Sequence, residues 1–354
     1  MQWNEEGLPA AGSAIDQEAQ QAAAQRWDTI AKPLGGLGDL DPMIARLAGI
    51  QGTPRPKLGE KAVVVFCADN GVVAQGVTQT SQETTAIVAE NLTRSATSVC
   101  CMARCAGARV VPVDMGVVRP VAGPGLRSHR LGNGTADFTA GPAMSREQAV
   151  DGLRYGIQLA GQLKEEGVTL LATGEMGIGN TTPRSALISV LLQVDPQQVT
   201  GRGAGLSSAG LERKIAAIRQ GIALNRPDPK DPVDVLAKVG GFDLAGMAGL
   251  CLGGLVHRVP VVLDGLISTA AALVAVKLCP DVRQVLFASH VSREPAGQMV
   301  LDALGLSPLL TCGMCLGEGT GAVASFPLWD MALAVYDGIP TFQEIAVEQY
   351  QHLK

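Results

Sequence analysis

LATGEMGIGNTTPRS, residues 171–185, runs from the end of an apolar segment through three glycines to a helix-opening Thr-Thr-Pro. Val168 to Ala172 has the texture of a strand buried in a parallel sheet. Gly174, Gly177 and Gly179 let the backbone turn tightly or lie close against a ligand. Thr181, Thr182 and Pro183 then open a helix, because a proline near the first helical position gives up an N–H that would be unpaired anyway. Strand, glycine loop and helix N-terminus together form a site for an anion such as phosphate. Neither common phosphate loop fits: no Gly-Lys-Ser/Thr precedes the helix, and Thr182 stands where the dinucleotide fingerprint needs its third glycine. Glu175 is the unusual residue. A carboxylate repels phosphate, so Glu175 either caps local N–H groups or serves a cationic or electron-poor part of the same substrate.

The same texture recurs along the chain. VVVFCADNG ends at Asp69-Asn70-Gly71, RVVPVDMG at Asp114, VPVVLDG at Asp264-Gly265 and VLFASH at Ser289-His290, each followed by a helical pattern. Alternating strands and helices over this length predict an α/β fold with a mostly parallel, Rossmann-like sheet and helices on both faces. Ligands of such sheets bind beyond the carboxyl ends of the strands, which gathers Asp69, Glu175, Asp264 and His290 on one rim. This large catalytic domain spans 57–326. A small helical domain is expected from both chain ends, 1–56 and 327–354. Its parts are a helix over 13–32, a second helix capped by Asp41 with Pro42 at its first position, and terminal helices Pro327–Tyr336 and Phe342–Leu353. A Thr341/Glu344 capping box opens the last of these.

Between the strands, Ser81 to Ala106 reads as one long helix with a Thr80/Glu83 capping box, so that Thr80, Thr84 and Val88 share a face. Gly201–Gly205 is a second glycine loop, followed by a helix bearing Lys214; Lys238–Asp243 is a third, opening the helix Leu244–Leu255. Three such loops with a lysine nearby point to a phosphate-bearing substrate, although Lys214 alone would read as a solvated charge. Leu316-Gly317-Glu318-Gly319 sets a glutamate between glycines before an apolar helix. That carboxylate is either an exposed acid in a turn or a ligand-accessible general base.

With 354 residues, 47% of them hydrophobic and 17% charged, the chain is a well-cored globular protein. A formal charge of −5 without basic clusters argues against nucleic acid as a partner. The longest apolar stretch, Val261 to Cys279, is broken by Asp264 and Lys277 and does not span a membrane. A polar, acidic start without a signal peptide, and eight cysteines set mostly in apolar segments, predict a cytoplasmic protein with reduced, buried thiols. Cys312 and Cys315 form a C-x-x-C without a second pair, and the four histidines are scattered, so no metal or other cofactor is expected.

GEMGIGNTTP (174–183), KVGGFDLAGM (238–247), LDG (263–265), SHVSREPAG (289–297) and LGEGTGA (316–322), with RWDTIAKPLGGLG (26–38) and GPAMSREQA (141–149), resemble the nicotinate-nucleotide:dimethylbenzimidazole phosphoribosyltransferases of cobamide lower-ligand assembly. The resemblance covers the chain. It implies transfer of phosphoribose from nicotinate mononucleotide to an aromatic base, with inversion from a β-linked donor to an α-riboside, in a dimer whose active sites lie near the interface. By matching, Glu318 is the catalytic base and Glu175 a second carboxylate stabilising positive charge on the sugar. Gly177, Asn180, Thr181, Gly203, Lys214, Gly265 and Ser292 hold phosphate and ribose, Lys214 being one that can cross the dimer interface. Met176, Asp264 and Leu316 complete the substrate site, with Thr80 and Val88 on the side of the base.

Family members commonly carry Asp-His-Gly where Asp69-Asn70-Gly71 stands, and benzimidazole-activating relatives a serine and a glutamine where Thr80 and Val88 stand. These departures point to phenol or p-cresol as acceptors beside dimethylbenzimidazole, and to a heterodimer with a paralogous chain as an alternative to a homodimer. Two other readings compete. A non-catalytic partner subunit is opposed by intact Glu175 and Glu318, and a nicotinamide-dependent oxidoreductase by the incomplete fingerprint.

Overall fold

The computed structural model describes residues 1–352. A two-stranded antiparallel ribbon, β1 (Gln2–Trp3) and β2 (Pro9–Ala11), leads into α1 (Gln17–Thr29) and α2 (Leu40–Gln51). Then follow β3 (Glu60–Ala68), α3 (Glu83–Thr93), α4 (Ser98–Cys105), β4 (Ala108–Gly116), β5 (Arg127–Ser128), α5 (Arg146–Glu165), β6 (Val168–Met176), α6 (Thr181–Leu192), α7 (Pro196–Val199), α8 (Ser208–Asn225), α9 (Pro232–Val239) and α10 (Phe242–His257). The chain continues through β7 (Val261–Leu263), α11 (Leu266–Leu278), β8 (Leu286–His290), α12 (Gly297–Leu304), β9 (Pro308–Leu310) and α13 (Thr320–Gly338).

Seven strands form one sheet in the order β5-β4-β3-β6-β7-β8-β9, every neighbouring pair parallel. The chain builds outward from β3 to β5, then returns to β6 on the other side of β3. The order therefore reverses between β3 and β6. The five expected strands are all present; β5 and β9 were missed because two and three residues are too few to show a period. Side chains alternate across the sheet. Phe66 meets α10 at Gly246, whereas Val63, on the opposite face, meets the start of α13 at Gly319. Among the described residues no helix is long and apolar enough to cross a membrane.

The two chain ends meet. Arg26 Nη2 donates to the Tyr336 carbonyl at 2.7 Å, Trp27 packs edge-on against Tyr336, and Ile30 pairs with Thr341. Several local expectations are corrected. Asp39, not Asp41, occupies the N-cap of α2; Asp41 is instead drawn into an ion pair with Lys32 at 2.8 Å. The helix expected from Ser81 to Ala106 is two, α3 and α4, because Ser95 adopts φ +57° and the Ser95 and Ala96 N–H groups close the end of α3 on Leu92 and Asn91. Thr80 lies before α3 and forms no capping box, Glu83 pairing with Arg119 instead. Pro327 sits inside α13, where fully buried Phe326 and Trp329 hold the helix through it, so the 326/327 boundary falls within one helix. Thr341 and Glu344 do exchange hydrogen bonds, but a turn follows instead of a helix, with Ala346 at φ +55°. The last residue of that expected helix, Leu353, lies outside the described residues. Cys101, Cys105, Cys312 and Cys315 are exposed, not buried, and all eight cysteines are unpaired.

Helices α5 and α10 cross almost backbone to backbone. A Cβ on Gly156 would stand 2.3 Å from the Gly246 carbonyl oxygen and 2.5 Å from the Leu250 nitrogen. Gly156→Ala is therefore expected to lower unfolding free energy by about 1–3 kcal/mol, the usual scale of overpacking; an unchanged urea midpoint would refute this contact.

Candidate active site

One cleft lies over the carboxyl ends of β6, β7 and β8. Glu175 and Met176 enter it from β6, Asp264 and Gly265 from β7, and His290 and Ser292 from β8. Gly177, Asn180, Thr181 and Arg184 come from the glycine loop and α6; Gly203 comes from the loop before α8, Thr80 from the loop before α3, and Leu316 and Glu318 from the loop before α13.

Glu175 stands next to the last residue of β6, after a buried run over 170–174, which carries its carboxylate into the interior. It accepts from Asn180 Nδ2 at 2.5 Å, and the same nitrogen donates to Asp243 Oδ2 at 3.0 Å. Burial pushes the Glu175 carboxyl well above the usual carboxylate range, and the charges of Asp243 and Asp264 add to the rise against the Asn180 bond.

Asp264 builds the neighbouring loop. Its carboxylate accepts from the backbone N–H groups of Gly319 (3.0 Å), Gly321 (2.7 Å) and Ala322 (3.3 Å), which head α13. These donors and the helix dipole favour an anion there, while burial pushes the carboxyl up to about 6. The loop so anchored holds Glu318 at φ +61°, half-buried, with Oε2 accepting from Val99 N–H at 3.0 Å in the first turn of α4. Gly321 must be a glycine here, since a Cβ would lie 2.0 Å from His290 Nδ1. His290 shares a 3.0 Å hydrogen bond with Ser289, and burial lowers its pKa, which favours the neutral ring.

Cations gather at the other side. Lys214 of this same chain is fully buried, its Nζ donating to Thr181 Oγ1 at 2.6 Å and to the Gly201 carbonyl at 3.3 Å. It stands just behind the cleft wall beside Gly203, and is not a solvated charge. Burial, then the charge of Arg184, pulls its pKa down to about 7. Arg184, 1% exposed, pairs with Glu294 at 3.2 Å. Asn180 caps α6 without a side-chain bond to its N–H groups, so two cations and a helix N-terminus converge on Thr181 and Gly203. That is an anion site.

Twelve of the fourteen residues singled out from the sequence line this cleft; Lys214 lies behind its wall, and Val88, on α3, is outside the lining. Asp69 also turns away, its Oδ2 accepting from Val118 N–H at 2.7 Å. Arg184 and Asp243 were passed over. The signal for both was one charged residue in the first turn of an otherwise apolar helix.

The profile of a family described as Phosphoribosyltransferase matches residues 13–347. Over 337 residues the chain is 44% identical to the nicotinate-nucleotide–dimethylbenzimidazole phosphoribosyltransferase of Ruminiclostridium cellulolyticum, covering 95% of this chain and 96% of that one. It is 46% identical over 336 residues to the protein of the same name from Desulforudis audaxviator, covering 95% of each. The crystal structure of CobT from Thermus thermophilus superimposes with a TM-score of 0.89 at 43% identity, over 94% of this chain and 100% of that one.

The buried amine has a consequence for stability. With Lys214 at about 7 in the folded protein against an ordinary 10.5, the unfolded chain binds more protons between those values, so stability contributed by this group rises with pH across that window. Lys214→Met is expected to flatten the rise, measured as urea unfolding free energy against pH. An identical slope in both proteins would return Lys214 to an ordinary lysine.

Proposed function

The chain belongs to the nicotinate-nucleotide–dimethylbenzimidazole phosphoribosyltransferase family, and we propose that it transfers phosphoribose from nicotinate mononucleotide to an aromatic lower-ligand base, giving an α-riboside 5′-phosphate and nicotinate for cobamide synthesis. The observation that carries this reading is the division of the cleft into an anionic half, Glu175, Asp264 and Glu318, and a cationic half, Arg184 in the lining and Lys214 behind Thr181 and Gly203. A substrate with a phosphate at one end and a pyridinium at the other matches that division.

The chemistry asks for one base and no acid. Nicotinate leaves as a ring that was cationic in the donor and is uncharged afterwards, so its nitrogen needs no proton. The acceptor does lose one as its bond to C1′ forms, and Glu318 takes it, aimed by the Val99 N–H. Glu175 faces the sugar and stabilises the positive charge that develops there. The N-terminus of α6, Gly203 and Ser292 hold the phosphate, with Arg184 beside them and Lys214 supplying field from behind; Asn180 and Gly265 face the ribose. Because both carboxylates enter the cleft, the chain is read as a catalytic subunit and not as a silent partner.

Thr80, Met176 and Leu316 border the space left for the base. With Val88 outside the lining, helix α3 offers no polar group to a ring nitrogen there, and leaving such an atom buried without a partner costs about 1–3 kcal/mol. Phenols escape that cost, since their only polar atom is the one that reacts, and they are proposed as acceptors beside dimethylbenzimidazole. We further propose a dimer, of like chains or with a paralogue, working in the cytoplasm with its thiols reduced.

Glu318→Gln keeps an oxygen for Val99 and removes the base. Turnover is expected to fall by about two to four orders of magnitude with donor binding retained; near-normal turnover would take Glu318 out of the reaction. Competition between p-cresol and dimethylbenzimidazole, with the chain alone and with any paralogue added, tests the acceptor. Use of benzimidazole only, by the lone chain, would exclude the phenolic branch.

A further inference from the structure

KVGGFDLAGM opens α10 with Asp243, a fully buried acid in the first turn of an otherwise apolar helix. It does not line the cleft, and nothing in the reaction above uses it. Its Oδ1 accepts from Leu244 N–H at 2.9 Å, capping its own helix. Its Oδ2 accepts from Asn180 Nδ2 at 3.0 Å, and the same Nδ2 donates to Glu175 Oε2 at 2.5 Å. An amide nitrogen carries two hydrogens, and Asp243 Oδ2, as an ionised carboxylate, only accepts; it therefore selects the nitrogen on its side, while Glu175 Oε2 takes the second hydrogen as a carboxylate or as the carbonyl oxygen of the protonated acid. None of the hydrogen bonds among the described residues ends on Asn180 Oδ1, and Asn180 lines the cleft.

From this geometry we infer that Asp243 is a positioning residue: through the Asn180 amide it fixes where the Glu175 carboxylate stands and leaves Asn180 Oδ1 as an acceptor for a ribose hydroxyl of the donor. Removing Asp243 frees one amide hydrogen and permits the flip, which would place an N–H where the ribose offers its own donor. The inference rests on the phosphoribosyl-transfer reading and adds the residue that holds its second carboxylate in register.

The local charges give a readout that a purely structural role would not move. Glu175 is faced by Asp243 on α10, by Asp264 beyond β7, by the Glu318 backbone and by Arg184 on α6, while Cys67 on β3 lies against the same acids and Asp69 beyond β3 faces Asp243. Asp243 is one of the charges that raise the Glu175 carboxyl. Neutralising it lets Glu175 ionise at lower pH, so the acid limb of the donor kcat/KM profile moves down.

The experiment compares wild type, Asp243→Asn and Asp243→Ser with nicotinate mononucleotide and dimethylbenzimidazole from about pH 5 to about pH 9. Both substitutions keep an oxygen for the Leu244 cap. For Asp243→Asn, donor kcat/KM is expected to fall about 10²-fold, the scale of a small misplacement of reacting groups, with acceptor KM unchanged. The acid limb shifts down in both variants, and Asp243→Asn has no further effect in an Asn180→Ala background. A wild-type acid limb in both variants, or the same additional loss without Asn180, overturns the inference. An inactive wild type overturns the reaction reading, and the inference falls with it.

Discussion

The three backbone N–H groups that converge on Asp264 fix the site more than any other contact. Gly319, Gly321 and Ala322 are the first donors of α13, and the carboxylate that satisfies them comes from the end of β7. Helix N-termini leave such donors unpaired unless something external meets them. Here the partner is an ionisable group whose burial opposes its charge, so sheet and helix are joined by an interaction that is strong only while Asp264 is an anion. The loop preceding α13 then has little freedom. It must pass over His290 at Gly321 and present Glu318 with a left-handed backbone, its side chain directed at the first turn of α4. The proposed base, on a loop, is thereby held by two helices and a strand.

Much of this was legible in the sequence, for reasons that can be stated residue by residue. The central strands are buried on both faces and read as continuous apolar runs, and the acid or histidine ending each run marks the carboxyl edge where sheets of this kind bind ligands. Glu318 was visible because its glycine neighbours have no competing purpose in a strand or helix. Other features left no local trace. Lys214 looks like any lysine on an amphipathic helix, and only the tertiary packing of α8 against α6 buries it. The interruption between α3 and α4 depends on Ser95 taking a conformation that serine seldom adopts, and the continuity of α13 through Pro327 depends on Phe326 and Trp329 finding the core. Val88 fell outside the cleft because a face defined by helical spacing from Thr80 has no meaning when Thr80 precedes the helix.

The division of charge in the cleft also sets how protonation follows binding. In the unliganded protein, burial and neighbouring acids favour the protonated Glu175 carboxyl, while burial holds Lys214 near 7 and so partly uncharged at neutral pH. A phosphate arriving beside Thr181 favours the charged amine, and a pyridinium or cationic sugar arriving beside Glu175 favours the carboxylate. One group then takes up a proton as the other gives one up. The two changes oppose each other in the exchange with solvent, so binding of a substrate that is anionic at one end and cationic at the other can reorganise the charges of the site with little net proton uptake. Each half on its own would bind with a steep dependence on pH; linked through one substrate, they assemble the charged pair that the reaction needs only when the substrate is present.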